Sequence, residues 1–203
     1  MKIELIERAG LTPALFGIGL SYGLTSGKSF DDIHPFAEPV DKNLHDRLVK
    51  IASKLCTKSG GEDKFLRQIT YWWDVTAPRY WWIEADTYKV GTIAQSESTM
   101  HRITARPLSA LADFEEPIDS DTVNKLNNHI KWYKETDCDI EEFMAIKNSL
   151  PEGFLQRRIW TLNLANMKNI YNQRRNHKLP QWKEVCKAFI EATPEFLRGM
   201  YNG

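Results

Sequence analysis

From Val123 onward the apolar residues recur every three or four positions in four successive stripes, and this repeat leaves the second half of the chain little choice but helix. The first stripe is Val123, Leu126, Ile130 and Tyr133. The second is Ile140, Phe143 and Met144, closed by Leu150-Pro151. The third is Leu164, Met167, Ile170 and Tyr171. The fourth is Trp182, Val185 and Phe189, behind Pro180, which suits a first helical turn. The first half has a different rhythm. Lys2 to Glu7 alternates as a short strand does. Phe65, Ile69, Tyr71, Trp73 and Val75 share one face of a predicted strand, with Arg67 the exception, and Ala77-Pro78 ends it. Leu44, Leu48, Ile51 and Leu55 predict a helix from about Asp41 that stops at Gly60-Gly61, and Tyr80 to Lys89 suits another. Between the first strand and that helix lie a glycine-rich segment to about Lys28 and the loop from Ser29 to Asp41. The expected class is α/β (α+β): a mixed sheet packed with helices and a helical C-terminal half, one domain over 1–203.

Charge and cysteine usage exclude several functions. Lys plus Arg and Asp plus Glu number 27 each, so a general polyelectrolyte grip on nucleic acid is not expected, although a local basic pocket is compatible. Cys56, Cys138 and Cys186 are odd in number and far apart, which argues for reduced thiols and a cytoplasmic setting. The longest apolar stretch, Leu11 to Leu24, is broken by Pro13, Gly17, Gly19, Ser21 and Gly23, so no membrane span or signal peptide is expected. His34, His45, His101, His129 and His177 form no HxxxH or HxH pair, and no metal site is predicted.

Two glycine motifs have the wrong spacing. Gly23 and Gly27 in GLTSGKS are separated by three residues where a phosphate loop needs four, and GIGLSYG from Gly17 to Gly23 is one residue too long for GxGxxG. The second reads better as a flexible or close-packed turn. The acidic run from Asp113 to Asp121 reads as a solvated loop. Trp72-Trp73 and Trp81-Trp82 fit core packing ahead of base stacking.

Two segments resemble the flavin-dependent thymidylate synthase family. Residues 149–185 carry Leu150-Pro151, Trp160-Thr161-Leu162-Asn163, Asn169 with Arg174, and Pro180-Gln181-Trp182-Lys183-Glu184, with one extra residue between Arg174 and Gln181. Upstream, Ala77-Pro78 matches the family's Ala-Pro pair. Glu97 then falls on its signature glutamate and Thr99 on the second serine of that signature. The departures are as informative. The family's Arg-His-Arg triplet falls on Lys89-Val90-Gly91, its first serine on Ala94 and its asparagine on Ser96. Its later arginine falls on His101, unless Arg102 substitutes. Ala165 replaces the arginine after Asn163, and Lys147 stands for an arginine just before Leu-Pro. The pattern also looks like a divergent branch carried by bacterial viruses.

The resemblance implies a homotetramer that binds FAD and deoxyuridine monophosphate at subunit junctions. The lost arginines remove charge-assisted bonds of roughly 1.5–3 kcal/mol each, so no flavin cofactor is expected. FAD belongs to the alternative in which an active synthase or related pyrimidine-nucleotide methylase persists. The nucleotide side is better kept. Lys89, Glu97, Ser98, Thr99, His101, Arg102, Lys147, Asn169 and Arg174 are the nucleotide-binding candidates, and Asn163 is a cofactor-binding candidate or a helix cap. Arg174 reads equally as a surface ion-pair residue, and Glu97 reads first as a loop or helix-start carboxylate. Catalytic residues are not identified. The implied role is a nucleotide-binding protein, in a viral setting a sink for a nucleotide signal in the host cytoplasm. A protein-interaction module built on the aromatic cluster is a further alternative.

Overall fold

A computed structural model describes residues 1–33 and 41–202. Most of the loop from Ser29 to Asp41, His34 included, lies outside the described residues. The order is β1 (Lys2–Ala9), α1 (Leu11–Ser21), α2 (Lys42–Leu55), β2 (Thr70–Pro78), α3 (Arg79–Ala85), β3 (Thr92–Ser96), α4 (Thr99–Arg102), α5 (Ser120–Glu135), α6 (Ile140–Ser149), β4 (Leu155–Asn163), α7 (Leu164–Arg174) and α8 (Pro180–Ala192). Short 3-10 turns cover Phe30–Ile33, Lys64–Gln68 and Glu195–Tyr201. The four strands form one sheet in the order β1-β2-β4-β3. Arg79 N donates to Phe154 O at 3.1 Å and Leu164 N to Ile69 O at 2.8 Å, so β2 and β4 run antiparallel. The expected α+β class is the one observed.

The chain divides into two compact units. One comprises 1–2, 74–89 and 94–159; the other comprises 3–73, 90–93 and 160–203. The first unit has its core on α5 and α6, where Val123, Leu126, Ile130, Phe143 and Ile146 pack with Ile103, Leu108, Phe114 and Leu150. Asp119 and Asp139 cap the two helices, accepting from Thr122 N and Glu141 N. The stripe expected on α6 shifts. Phe143 is buried together with Ile146, whereas Ile140 and Met144 are exposed. Ile140 is the first residue after the cap, in a turn that projects before the helix meets its neighbour.

The second unit packs around Phe189 of α8, whose ring lies 5.4 Å from Trp73 and 6.3 Å from Trp160. Met167, Ile170, Trp182 and Val185 are fully buried there, on the faces the periodicity predicted. Three expectations change. The glycine-rich segment is not a turn but α1, and Gly19 lets the helix close on its neighbours. A Cβ there would stand 2.4 Å from Thr25 Cγ2 and 3.1 Å from Leu48 Cδ2. The strand expected from Phe65 begins only at Thr70. Leu66 N donates to Asp63 O in a 3-10 turn over Lys64–Gln68, and the buried Phe65 and Leu66 belong to that turn. Helix α2 ends at Leu55, ahead of Gly60-Gly61. Trp73 in this unit, and Trp81 and Trp82 in the first, are buried, as core packing requires.

Among the described residues no helix is long and apolar enough to cross a membrane. Phe189→Ala is expected to cost about 3–5 kcal/mol, read as a lower urea midpoint with an unchanged slope.

Candidate functional site

In the first unit an open cavity of about 460 Å³ lies where β3 runs into α4. Backbone bonds from the neighbouring strand hold this corner. Glu97 N donates to Arg157 O at 2.9 Å, and Gln156 Nε2 donates to Glu97 O at 3.1 Å. The Gln156 amide is oriented from behind, because its Oε1 accepts from Arg158 Nε and Nη2 at 3.2 and 2.9 Å. Arg158 in turn lies 4.3 Å over the Trp82 ring and pairs with Asp86 at 2.9 Å. Ser98 then caps α4, accepting from Met100 N at 3.2 Å. These contacts present Glu97, Ser98, Thr99 and Arg102 to the cavity.

Three guanidinium groups line the cavity, and each already holds a carboxylate. Arg102 Nε meets Glu97 Oε1 at 2.7 Å. Arg106 grips Asp113 through two bonds of 2.8 and 2.5 Å. Arg157 Nε contacts both Asp74 oxygens, at 2.8 and 3.1 Å, and its Nη2 adds a further bond to Oδ2. These pairs cancel in charge. Lys147 adds a cation behind the wall, with Nζ donating to Thr99 Oγ1 at 2.7 Å. Burial, the largest single influence on Asp113, raises its pKa. The bonds from Arg106 and Ser109 N and the charge of Arg106 outweigh it and hold the carboxyl below its ordinary value. For Asp74 the Arg157 bonds dominate and also lower the pKa.

The structure therefore brings together Glu97, Ser98, Thr99, Arg102 and, through Thr99, Lys147. Lys89 and His101 are exposed and do not line the cavity. Asn169 and Arg174 belong to α7 in the second unit and are not among its lining residues. Asn169 Oδ1 accepts from Gln173 Nε2 at 3.0 Å, and the Arg174 guanidinium stacks 4.9 Å over Trp182. Sequence reasoning missed Arg106, Asp113, Gln156 and Arg157. The paired arginines after Gln156 were a usable signal. Asp113 was hidden inside an acidic run read as solvated, yet it is buried and paired.

At the start of α7, Asn163 and Asn166 form a reciprocal capping box. Asn163 Oδ1 accepts from Asn166 N at 2.9 Å, and Asn163 N donates back to Asn166 Oδ1 at 3.3 Å. Asn166 Nδ2 also donates to Val90 O at 2.8 Å. Gly91 closes against this pair with φ +73°, and a Cβ on it would stand 2.9 Å from Asn163 Nδ2 and 3.0 Å from Asn166 Oδ1. Asn163 is thus a helix cap, and a side chain at position 91 would be strained by the positive φ and would have to push the Asn163 and Asn166 amides aside. Among the described residues no group of three or more His, Cys, Asp or Glu could hold a metal.

Fold and cavity together define an α+β protein with a polar, internally ion-paired pocket at the end of an edge strand. No protein-family profile matches the chain, and no curated protein matches it. Two crystal structures of the flavin-dependent thymidylate synthase ThyX from Helicobacter pylori, complexed with FAD and dUMP, do match it. One has a TM-score of 0.70 at 14% identity, covering 99% of this chain and 98% of that one. The other has a TM-score of 0.69 at 14% identity, covering 99% and 97%. The chain has the flavin-dependent thymidylate synthase fold.

Two outcomes are expected from the site. Asp113 has a lowered pKa, so its stabilising contribution is complete above its ordinary value of 3.8 and is lost as pH falls through the lowered value. Melting temperature should drop more steeply with acidification below that point in the wild type than in Asp113→Asn. Gly91→Ala should cost about 1–3 kcal/mol in chemical denaturation, because strain and crowding act together.

Proposed function

We propose that the chain is a nucleotide-binding protein that uses this scaffold without flavin chemistry. The carrying observation is the cavity lined by Glu97, Ser98, Thr99 and Arg102, with Lys147 behind Thr99, on a fold whose solved neighbours hold dUMP. Hydroxyl donors beside an arginine and a lysine suit a phosphate, and the fixed Gln156 amide and Glu97 offer polar contacts to a base or sugar. Asn169, Arg174, Lys89 and His101 remain further nucleotide-contact candidates in this proposal. The assembly we propose is a homotetramer of single-domain subunits, acting in the host cytoplasm of a virus, where it would withdraw a nucleotide signal.

What supports the absence of flavin chemistry is local. The family's second arginine falls on Gly91, whose positive φ and closeness to the Asn163–Asn166 box disfavour a side chain, and the arginine after Asn163 falls on Ala165. These residues do not suit the diphosphate of FAD. The alternative is an active flavin-dependent thymidylate synthase or related methylase. It is favoured by one observation: both solved neighbours hold FAD together with dUMP.

Native mass spectrometry of freshly purified protein separates the readings. The proposal expects a retained or added nucleotide and no flavin. Bound FAD, or no adduct across a nucleotide panel, would refute it. Lys147→Met and Thr99→Val should each weaken nucleotide binding by about tenfold, the loss expected for one charge-assisted contact.

A further inference from the structure

Strand β1 is an outer strand of the sheet, and no strand neighbours its outer side among the described residues. It runs for eight residues, KIELIERA, without proline or glycine. Its side chains are almost all exposed on both faces. Leu5 is 40% exposed and Ile6 55%, and as consecutive residues they point to opposite faces. Charged side chains on an edge discourage indiscriminate pairing, so Lys2, Glu4, Glu7 and Arg8 restrict which partner strand β1 accepts.

The charges on the strand are self-complementary. Glu4, Ile6 and Arg8 share one face, with the isoleucine midway between opposite charges. When two copies of such a strand run antiparallel with a two-fold axis at Ile6, the isoleucines meet each other. Glu4 of each copy then stands directly opposite Arg8 of the other. On the second face Leu5 lies opposite Glu7 and Ile3 opposite Ala9. Slipping the register by one step to place Leu5 on the axis would set Lys2 against Arg8, and a half-step slip would set Glu4 against Glu7. The charge pattern therefore selects one register. Arg8 donates to Ala192 O at 3.1 Å and also interacts with the Tyr71 hydroxyl, and a guanidinium has five N–H donors in all.

We propose that the β1 edge is a pairing surface for a second copy of this chain, joined strand to strand through an isologous two-fold contact centred on Ile6. The main-chain groups of the outer edge supply the bonding, and the Glu4–Arg8 pairs set direction and register. This surface does not depend on what the cavity binds.

Charge reversal in the full-length protein tests it. Glu4→Arg and Arg8→Glu are each expected to weaken dimerisation by about tenfold or more in sedimentation velocity, because the two-fold axis makes every reversal count twice. The double reversal should restore it. In a Cys138→Ser background, which removes an exposed thiol, Ile6→Cys should form an intermolecular disulfide on mild oxidation, since directly opposed strand positions fall within disulfide reach. Circular dichroism confirms that each variant is folded. A wild-type chain that stays monomeric would overturn the proposal. So would single reversals that leave assembly unchanged, a double reversal that fails to restore it, or an Ile6→Cys chain that does not cross-link.

Discussion

Strand β4 has a partner strand on each side, and its hydrogen bonds set the position of every group described at the site. At its start, Arg157 O accepts from Glu97 N and Gln156 Nε2 donates to Glu97 O, so two residues of β4 hold the segment that follows β3. At its end, Asn163 stops the strand and caps α7. Each bond contributes only about 0.5–1.5 kcal/mol net. Their influence comes from direction. A donor and an acceptor placed back to back on Gln156 leave the Glu97 segment one low-energy path into α4.

The electrostatics of the cavity follow from that geometry. Arg102, Arg106 and Arg157 bring three positive charges to one wall, and Glu97, Asp113 and Asp74 neutralise them in place. The pairs are not equivalent. The Arg102 side chain is 70% exposed and its partner 33%, so water screens the attraction and the pair contributes little to stability. In the reading we propose, a phosphate takes the place of Glu97 on this arginine. Asp113 is only 11% exposed and also receives a backbone N–H, so that pair is part of the wall itself. Lys147 adds a positive charge beyond these three pairs through its bond to Thr99 Oγ1. In the reading we propose, it biases the cavity toward an anion, while Gly91 and its asparagine neighbours disfavour the arginine that a flavin site of this family uses.

Much of the helical half was legible because burial there follows a simple period. Trp182, Val185 and Phe189 lie on one face of α8, and each is buried as its spacing demands. Helix α1 was not legible. Gly17 and Gly19 suggest a loop by propensity, and the closeness of Thr25 and Leu48 explains why the helix carries glycine at position 19. The site divides in the same way. Glu97 and Thr99 could be found by alignment to a motif, and both line the cavity. Asp113 could not, because a carboxylate in an acidic run signals solvent until an arginine seven residues earlier is seen to fold back on it. Asn163 reads in sequence both as a ligand contact and as a cap, and the reciprocal bond from Asn166 shows the cap.

The central claim is selectivity of one pocket for a phosphate-bearing nucleotide over a flavin. Isothermal titration of the purified protein with FAD and, separately, with a set of nucleoside monophosphates addresses it directly. The account predicts saturable heat from at least one nucleotide that is diminished in Arg102→Ala, and no saturable heat from FAD. Tight binding of FAD, or nucleotide binding indifferent to Arg102, would contradict it.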